Sequence, residues 1–207
     1  MMIQLEQLER MEFAMGAIAE LMNDSGARWI VGGSTGLALR GIGIGRPPRD
    51  LDLYSDLDSA LLLHKRLERY SVDQQHWSET DRYQSLLSHY VIETVPVEVV
   101  GGFVVQAHGC RYALEVNDWL LGHSLEVQCN GKRLHVVPLS HELLFNVLRD
   151  RTDRADIIVQ AAIETRAASE LADQLVELSY RNVLQEELIA PWLLKLRGRE
   201  GGLHDER

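Results

Sequence analysis

An α/β (α+β) fold is expected for this chain, and three observations point there. Short apolar or alternating runs bounded by turn residues recur between Trp29 and Val137. Beyond Pro138, every apolar pattern has helical spacing. The 207 residues, 45% hydrophobic and 25% charged, suffice for one α/β domain with a helical appendage. The division is placed between residues 1–137 and a helical C-terminal region, 138–207.

Residues 4–23 set Leu5, Leu8, Phe13, Met15, Ile18, Leu21 and Met22 at roughly helical spacing. That predicts a helix packed on the sheet or on a second copy of the chain, so a homodimer stays open. Trp29 to Val31 reads as the first strand, and Ser34 to Arg40 as a short helix. Three glycines and two prolines make Gly41 to Pro48 a loop. Asp50 to Tyr54 is the second strand. Asp56 is a candidate N-cap for a helix over Leu57 to Tyr70, with Leu61, Leu62, Leu63 and Leu67 expected on its buried side. Asp73 to Asp81 is polar and reads as a loop. Ser85–Glu93 and Val95–Val100 read as strands joined by a tight turn, the second ended by Gly101-Gly102. Tyr112–Val116 and Leu125–Cys129 are further strand signals. Asn130-Gly131 marks a type I′ hairpin into Arg133–Val137. Helices are expected over Leu139–Leu148, Asp153–Thr165, Ala168–Tyr180 and Leu184–Leu196, with order ending at Gly198, Gly201 and Gly202.

The net charge of −10, from 21 basic and 31 acidic side chains, disfavours duplex DNA as a partner and suits a cationic one. No apolar run approaches the roughly 18 residues that would span a bilayer. The acid-containing N-terminus does not read as a signal peptide, so a cytoplasmic protein without membrane partners is expected. Cys110 and Cys129 lack Cys-x-x-Cys spacing and read as buried free thiols.

The chemistry concentrates in two short stretches. Val31-Gly32-Gly33-Ser34 leaves a strand through a glycine turn. There, backbone amides and the start of a helix could approach a phosphate. Asp50-Leu51-Asp52-Leu53 alternates acid with leucine, so both carboxylates share a strand face while the leucines face a core. Two like charges side by side call for a cation, and hard oxygen ligands suit Mg²⁺. A phosphate cradle beside a metal-holding acid pair suggests phosphoryl or nucleotidyl transfer.

These residues resemble the nucleotidyltransferase superfamily related to DNA polymerase β, in which Gly-Gly or Gly-Ser is followed by Asp-x-Asp on the next strand. The match is closest to the branch holding small antibiotic nucleotidyltransferases and abortive-infection nucleotidyltransferase toxins. The resemblance spans roughly residues 26–160. It implies a mixed sheet, and it makes Asp50, Asp52 and Glu98 the catalytic and metal-binding acids, with Glu98 isolated among valines in Val95 to Val100. It gives Gly32, Gly33, Ser34, Arg46, Arg49 and Arg151 nucleotide-binding roles. It implies one or two Mg²⁺ ions, an NTP (ATP first), and an acceptor hydroxyl on a small molecule, tRNA or protein. Where the family often carries a lysine that contacts the triphosphate, this chain has Asn146. That departure favours the alternative of a catalytically silent nucleotide-binding regulatory or antitoxin-type partner.

Overall fold

The computed structural model describes residues 2–22 and 24–198. Two compact units divide the chain: Met1–Val104 with Ala113–Pro138, and Val105–Tyr112 with Leu139–Arg207.

The first unit is built on a mixed sheet. The strands of the sheet are β1 (Ile30–Gly32), β2 (Leu51–Ser55), β3 (His76–Glu79), β4 (Tyr83–Ile92), β5 (Val95–Ala107), β6 (Cys110–Ala113), β7 (Leu125–Cys129) and β8 (Lys132–Val136), with Val105–Ala107 of β5 and Cys110–Tyr112 of β6 counted in the second unit. The order is β3-β4-β5-β2-β1-β8-β7, with β6 paired to β5. β2 runs parallel to β5 and β1 parallel to β8, while β1–β2, β3–β4 and β7–β8 are antiparallel. Helix α1 (Met2–Met22), α2 (Gly33–Leu39) and α3 (Leu57–Leu67) complete this unit.

One face of the sheet carries the core. Leu51, Leu53, Val97, Val99, Val31 and Val136 meet Met11, Met15 and Ile18 of α1 and Ala60, Leu63 and Leu67 of α3. On α1 the buried stripe is Met11, Ala14, Met15, Ile18 and Met22, a three- and four-residue spacing that leaves Phe13 on the far side and 58% exposed. Phe13 is therefore not the core residue expected, and Leu5 and Leu8 lie outside the described side chains. Leu61 and Leu62 are likewise exposed, because Ser59, Ala60, Leu63 and Leu67 take the inner face of α3.

Four expectations fail locally. The polar stretch at 73–81 holds a short edge strand, β3, rather than a loop throughout. Gly101-Gly102 does not end β5. A Cβ on Gly101 would lie 2.4 Å from the Ala60 Cβ, so the glycine lets α3 lie close to the strand, which continues to Ala107. Asp56 occupies the N-cap position without capping, and its carboxylate instead accepts the amides of Val116 and Asn117 at 3.0 and 2.9 Å. Residues Val116–Leu120 form a wide helical turn where a strand was expected to end. The hairpin at Asn130-Gly131 has both residues at positive φ, as a type I′ turn requires, and so does the β4–β5 turn at Glu93-Thr94.

The second unit packs α4 (Leu139–Leu148), α5 (Thr152–Glu164), α6 (Ala168–Arg181) and α7 (Glu186–Arg197) together. The tip of the β5–β6 hairpin belongs to it. Arg111 exchanges backbone hydrogen bonds with Val183, and His108 Nε2 lies 2.9 Å from Asp150 Oδ1. Cys110 and Cys129 are buried free thiols.

Candidate active site

The sheet face opposite α1 and α3 carries the candidate chemistry. In β2, Leu51 and Leu53 are buried in the core, so Asp52 projects from the other face and is half-buried. The pairing then sets its neighbours. Gly32 of β1 is level with Asp52 on one side, and Glu98 of β5 is level with it on the other. Three adjacent strands thus deliver the glycine turn and two acids in one cross-strand row.

The turn and the acid are in contact. Gly33 has φ +61°, and a Cβ there would lie 1.8 Å from Asp52 Oδ2. The carboxylate fills the space that any side chain at 33 would claim. Gly32 is closed in the same way by the Tyr54 ring, whose Cε2 would be 2.2 Å from an added Cβ. Tyr54 in turn stacks on Phe103 with centroids 6.0 Å apart. Both glycines are required by close approach, and Gly33 by its backbone as well.

Asp50 differs from its expectation. The strand begins at Leu51, and Asp50 occupies the bend before it, exposed. Its backbone is held: Thr35 Oγ1 of α2 donates to the Asp50 carbonyl at 2.8 Å. The glycine turn and the acid pair are therefore coupled through α2 as well as through the ladder. Ser34 lies in the first turn of α2, whose N-cap position is Gly32. Amides in a first helical turn have no intrahelical acceptor. Arg46 and Arg49 are exposed on the loop leading to Asp50.

Among the described residues, no group of three His, Cys, Asp or Glu side chains is gathered tightly enough to hold a metal ion. Asp52 and Glu98 offer hard oxygens from level positions on adjacent strands, while Asp50 lies in the bend before β2.

The second-unit residues are engaged locally. Arg151 makes a two-point ion pair with Asp153, Nε–Oδ1 2.9 Å and Nη2–Oδ2 2.8 Å, which pulls the Asp153 carboxyl down to about 2. Asn146 is buried, and its Nδ2 donates to the Glu142 carbonyl at 2.8 Å.

One residue escaped the sequence reading. His89, on β4, has Nε2 3.4 Å from Glu98 Oε2. A lone histidine in a strand carries no signal by itself, and only the hairpin register shows its neighbour. A separate cavity of about 620 Å³, lined by Arg28, Trp29, Arg133 and His135 among others, opens near the start of β1 and contains none of these residues.

No protein-family model matches the chain, and no curated protein matches it. Solved structures do. A Thermotoga maritima protein assigned as a nucleotidyltransferase is 20% identical, with 72% of this chain and 91% of that one covered, at a TM-score of 0.57. The lincosamide antibiotic adenylyltransferase LnuA, lincomycin-bound, is 16% identical over 70% of this chain and 94% of its own, at 0.43. ANT(2″)-Ia in complex with adenylyl-2″-tobramycin is 11% identical over 81% and 95%, at 0.48. The chain has the fold of the nucleotidyltransferases.

Proposed function

We propose that the protein transfers a nucleotidyl group from an NTP, ATP first, to a hydroxyl on a small molecule, tRNA or protein. The observation that carries this is the cross-strand row: Gly32, Asp52 and Glu98 level on β1, β2 and β5, with the Gly33 backbone against the Asp52 carboxylate.

In this reading the amides of Gly33 and Ser34 and the Ser34 hydroxyl hold phosphate oxygens. Arg46 and Arg49 offset the triphosphate charge. The acceptor oxygen attacks the α-phosphorus in line as the bond to pyrophosphate breaks, and the acceptor proton passes to Glu98. Asp52 and Glu98, with Asp50 drawn in from the bend, would hold one or two Mg²⁺, which supply Lewis-acid charge neutralisation when bound. The acidic surface suits a cationic acceptor over a polyanion.

A catalytically silent, nucleotide-binding partner is the second reading. The buried Asn146 favours it, since that side chain is committed to the α4 backbone. A screen of acceptors with labelled NTPs and Mg²⁺, read by pyrophosphate release, decides between them. Acceptor-dependent release supports transfer; NTP binding without release from any acceptor supports the silent partner.

A further inference from the structure

The amino end of β1 leaves a gap in the first unit. The strand starts only at Ile30 and meets β8 through the Val31–Val136 pair. The turn before it is tied elsewhere. The Ser25 amide donates to the Met22 carbonyl at 3.0 Å, and the Arg28 amide donates to Ser59 Oγ of α3 at 3.0 Å. Between this turn and residues 133–135 of β8 lies the cavity of about 620 Å³, and every residue lining it belongs to the first unit.

Much of the lining is apolar. Met22 and Leu134 are core residues, and Ala19, Ala27 and Trp29 pack on that core while only half-buried. The walls are held in place. Ser124 Oγ donates to the Leu121 carbonyl at 2.7 Å and so accepts from His135 Nδ1, 2.8 Å away. This ties the turn carrying Leu121 and Gly122 to β8. The Asn117 amide is fixed on Asp56 Oδ2 at 2.9 Å. A cavity of this size, with preformed walls, apolar surface and a few polar groups, suits a small organic molecule.

The charged groups of the lining set the charge of that molecule. Arg133 is already matched, its Nε lying 3.1 Å from Glu126 Oε1. Arg28 is exposed, and its guanidinium has no ion-pair partner among the described residues, in a chain of net charge −10. Asp24, also in the lining, repels a second negative charge. We propose that this cavity is a second ligand site, for a small molecule with a flat apolar body and a single anionic group of the carboxylate or sulfonate kind. The body lies against Met22, Trp29 and Leu134, and the anion pairs with Arg28. The site is separate from the glycine turn, since Trp29 precedes β1 and Gly33 follows it. Its occupancy is independent of nucleotidyl transfer. A crevice that only holds water would select neither the rings nor the charge.

Two fluorescent probes test this. 8-Anilinonaphthalene-1-sulfonate carries one sulfonate; N-phenyl-1-naphthylamine has the same rings and no charge. Each is titrated into the full chain as wild type, Arg28→Gln and Gly122→Phe. Arg28 is exposed, and nothing lies within 4 Å of a Cβ added at Gly122, so all three should melt together. The expected result is one saturable site for the anionic probe. Arg28→Gln should weaken it about fivefold, the upper end for an exposed ion pair, and leave the uncharged probe within about twofold. Gly122→Phe, which fills the cavity, should remove both. Saturating Mg·ATP should displace neither. Binding that never saturates, or that survives Gly122→Phe, is adsorption to apolar surface elsewhere and overturns the proposal. So does equal loss of both probes in Arg28→Gln, or displacement by Mg·ATP. If Gly122→Phe melts early, the Arg28→Gln comparison decides alone.

Discussion

Replacing Gly33 by alanine tests the contact on which the site is built. Two separate penalties arise. The residue sits at φ +61°, where an L-residue pays about 1–2 kcal/mol. The new methyl would also lie 1.8 Å from Asp52 Oδ2, whereas real Cβ contacts do not fall below 3.0 Å, so the carboxylate must retreat by more than an ångström. The first penalty is thermodynamic, and for a chain of this size it lowers Tm by about 2–8 °C. The second is functional, because a misplacement of about 1 Å costs about 100-fold in rate. Gly41→Ala is the control: Gly41 has φ +75° and nothing within 4 Å of an added Cβ, so it pays the backbone penalty alone. Calorimetric melts and Mg·ATP titrations on both variants separate the two. The expected result is a similar Tm loss in each, with nucleotide binding and pyrophosphate release lost only in Gly33→Ala. Full activity in Gly33→Ala would refute the reasoning, since Asp52 would then be free to sit elsewhere.

Four further outcomes are expected. Asp50→Asn in metal-free buffer leaves Tm unchanged, because the carboxylate is exposed in the bend before β2 and substitutions at such positions change stability little; a large fall would make Asp50 structural. Thr35→Val removes the hydrogen bond to the Asp50 carbonyl and costs about 1 kcal/mol, read by denaturant unfolding. Asp56→Ala strips two amides of their acceptor and costs about 1.5–3 kcal/mol by the same measurement, well above a lost exposed cap. His141 is fully buried, and burial pushes its imidazole down to about 3. Neutral in the fold but titrating near 6.5 when unfolded, it leaves the unfolded chain one proton richer between those values. Stability then falls on acidification by about 1.4 kcal/mol per pH unit within that window. Denaturant midpoints from pH 7 to pH 4 should show that slope, and His141→Gln should flatten it.

Local chemistry carried much of this architecture in readable form. The alternation Asp50-Leu51-Asp52-Leu53 placed the leucines in the core and Asp52 on the opposite face, and Asn130-Gly131 turned as its composition dictates. The four C-terminal helices follow their apolar spacing. Tertiary decisions were less legible. Phe13, Leu61 and Leu62 fit a helical stripe by composition, but burial was decided by which face of α1 and α3 met the sheet. Gly101-Gly102 reads as a break until Ala60 is known to press against it. Glu93-Thr94 makes a tight turn at positive φ without the usual glycine. Asp73, His89 and Glu98 lie far apart in sequence and meet only through the β4–β5 register and the segment alongside it.

The central claim is that the Gly32-Gly33 turn, Asp52 and Glu98 together hold a magnesium-bound nucleoside triphosphate. The most direct measurement is a calorimetric titration of Mg·ATP into the wild type and into Asp52→Asn, with melting curves to show both folded. The account predicts saturable binding to the wild type, weakened at least tenfold, about 1.4 kcal/mol, in the variant. Equal affinity in the two proteins would contradict it.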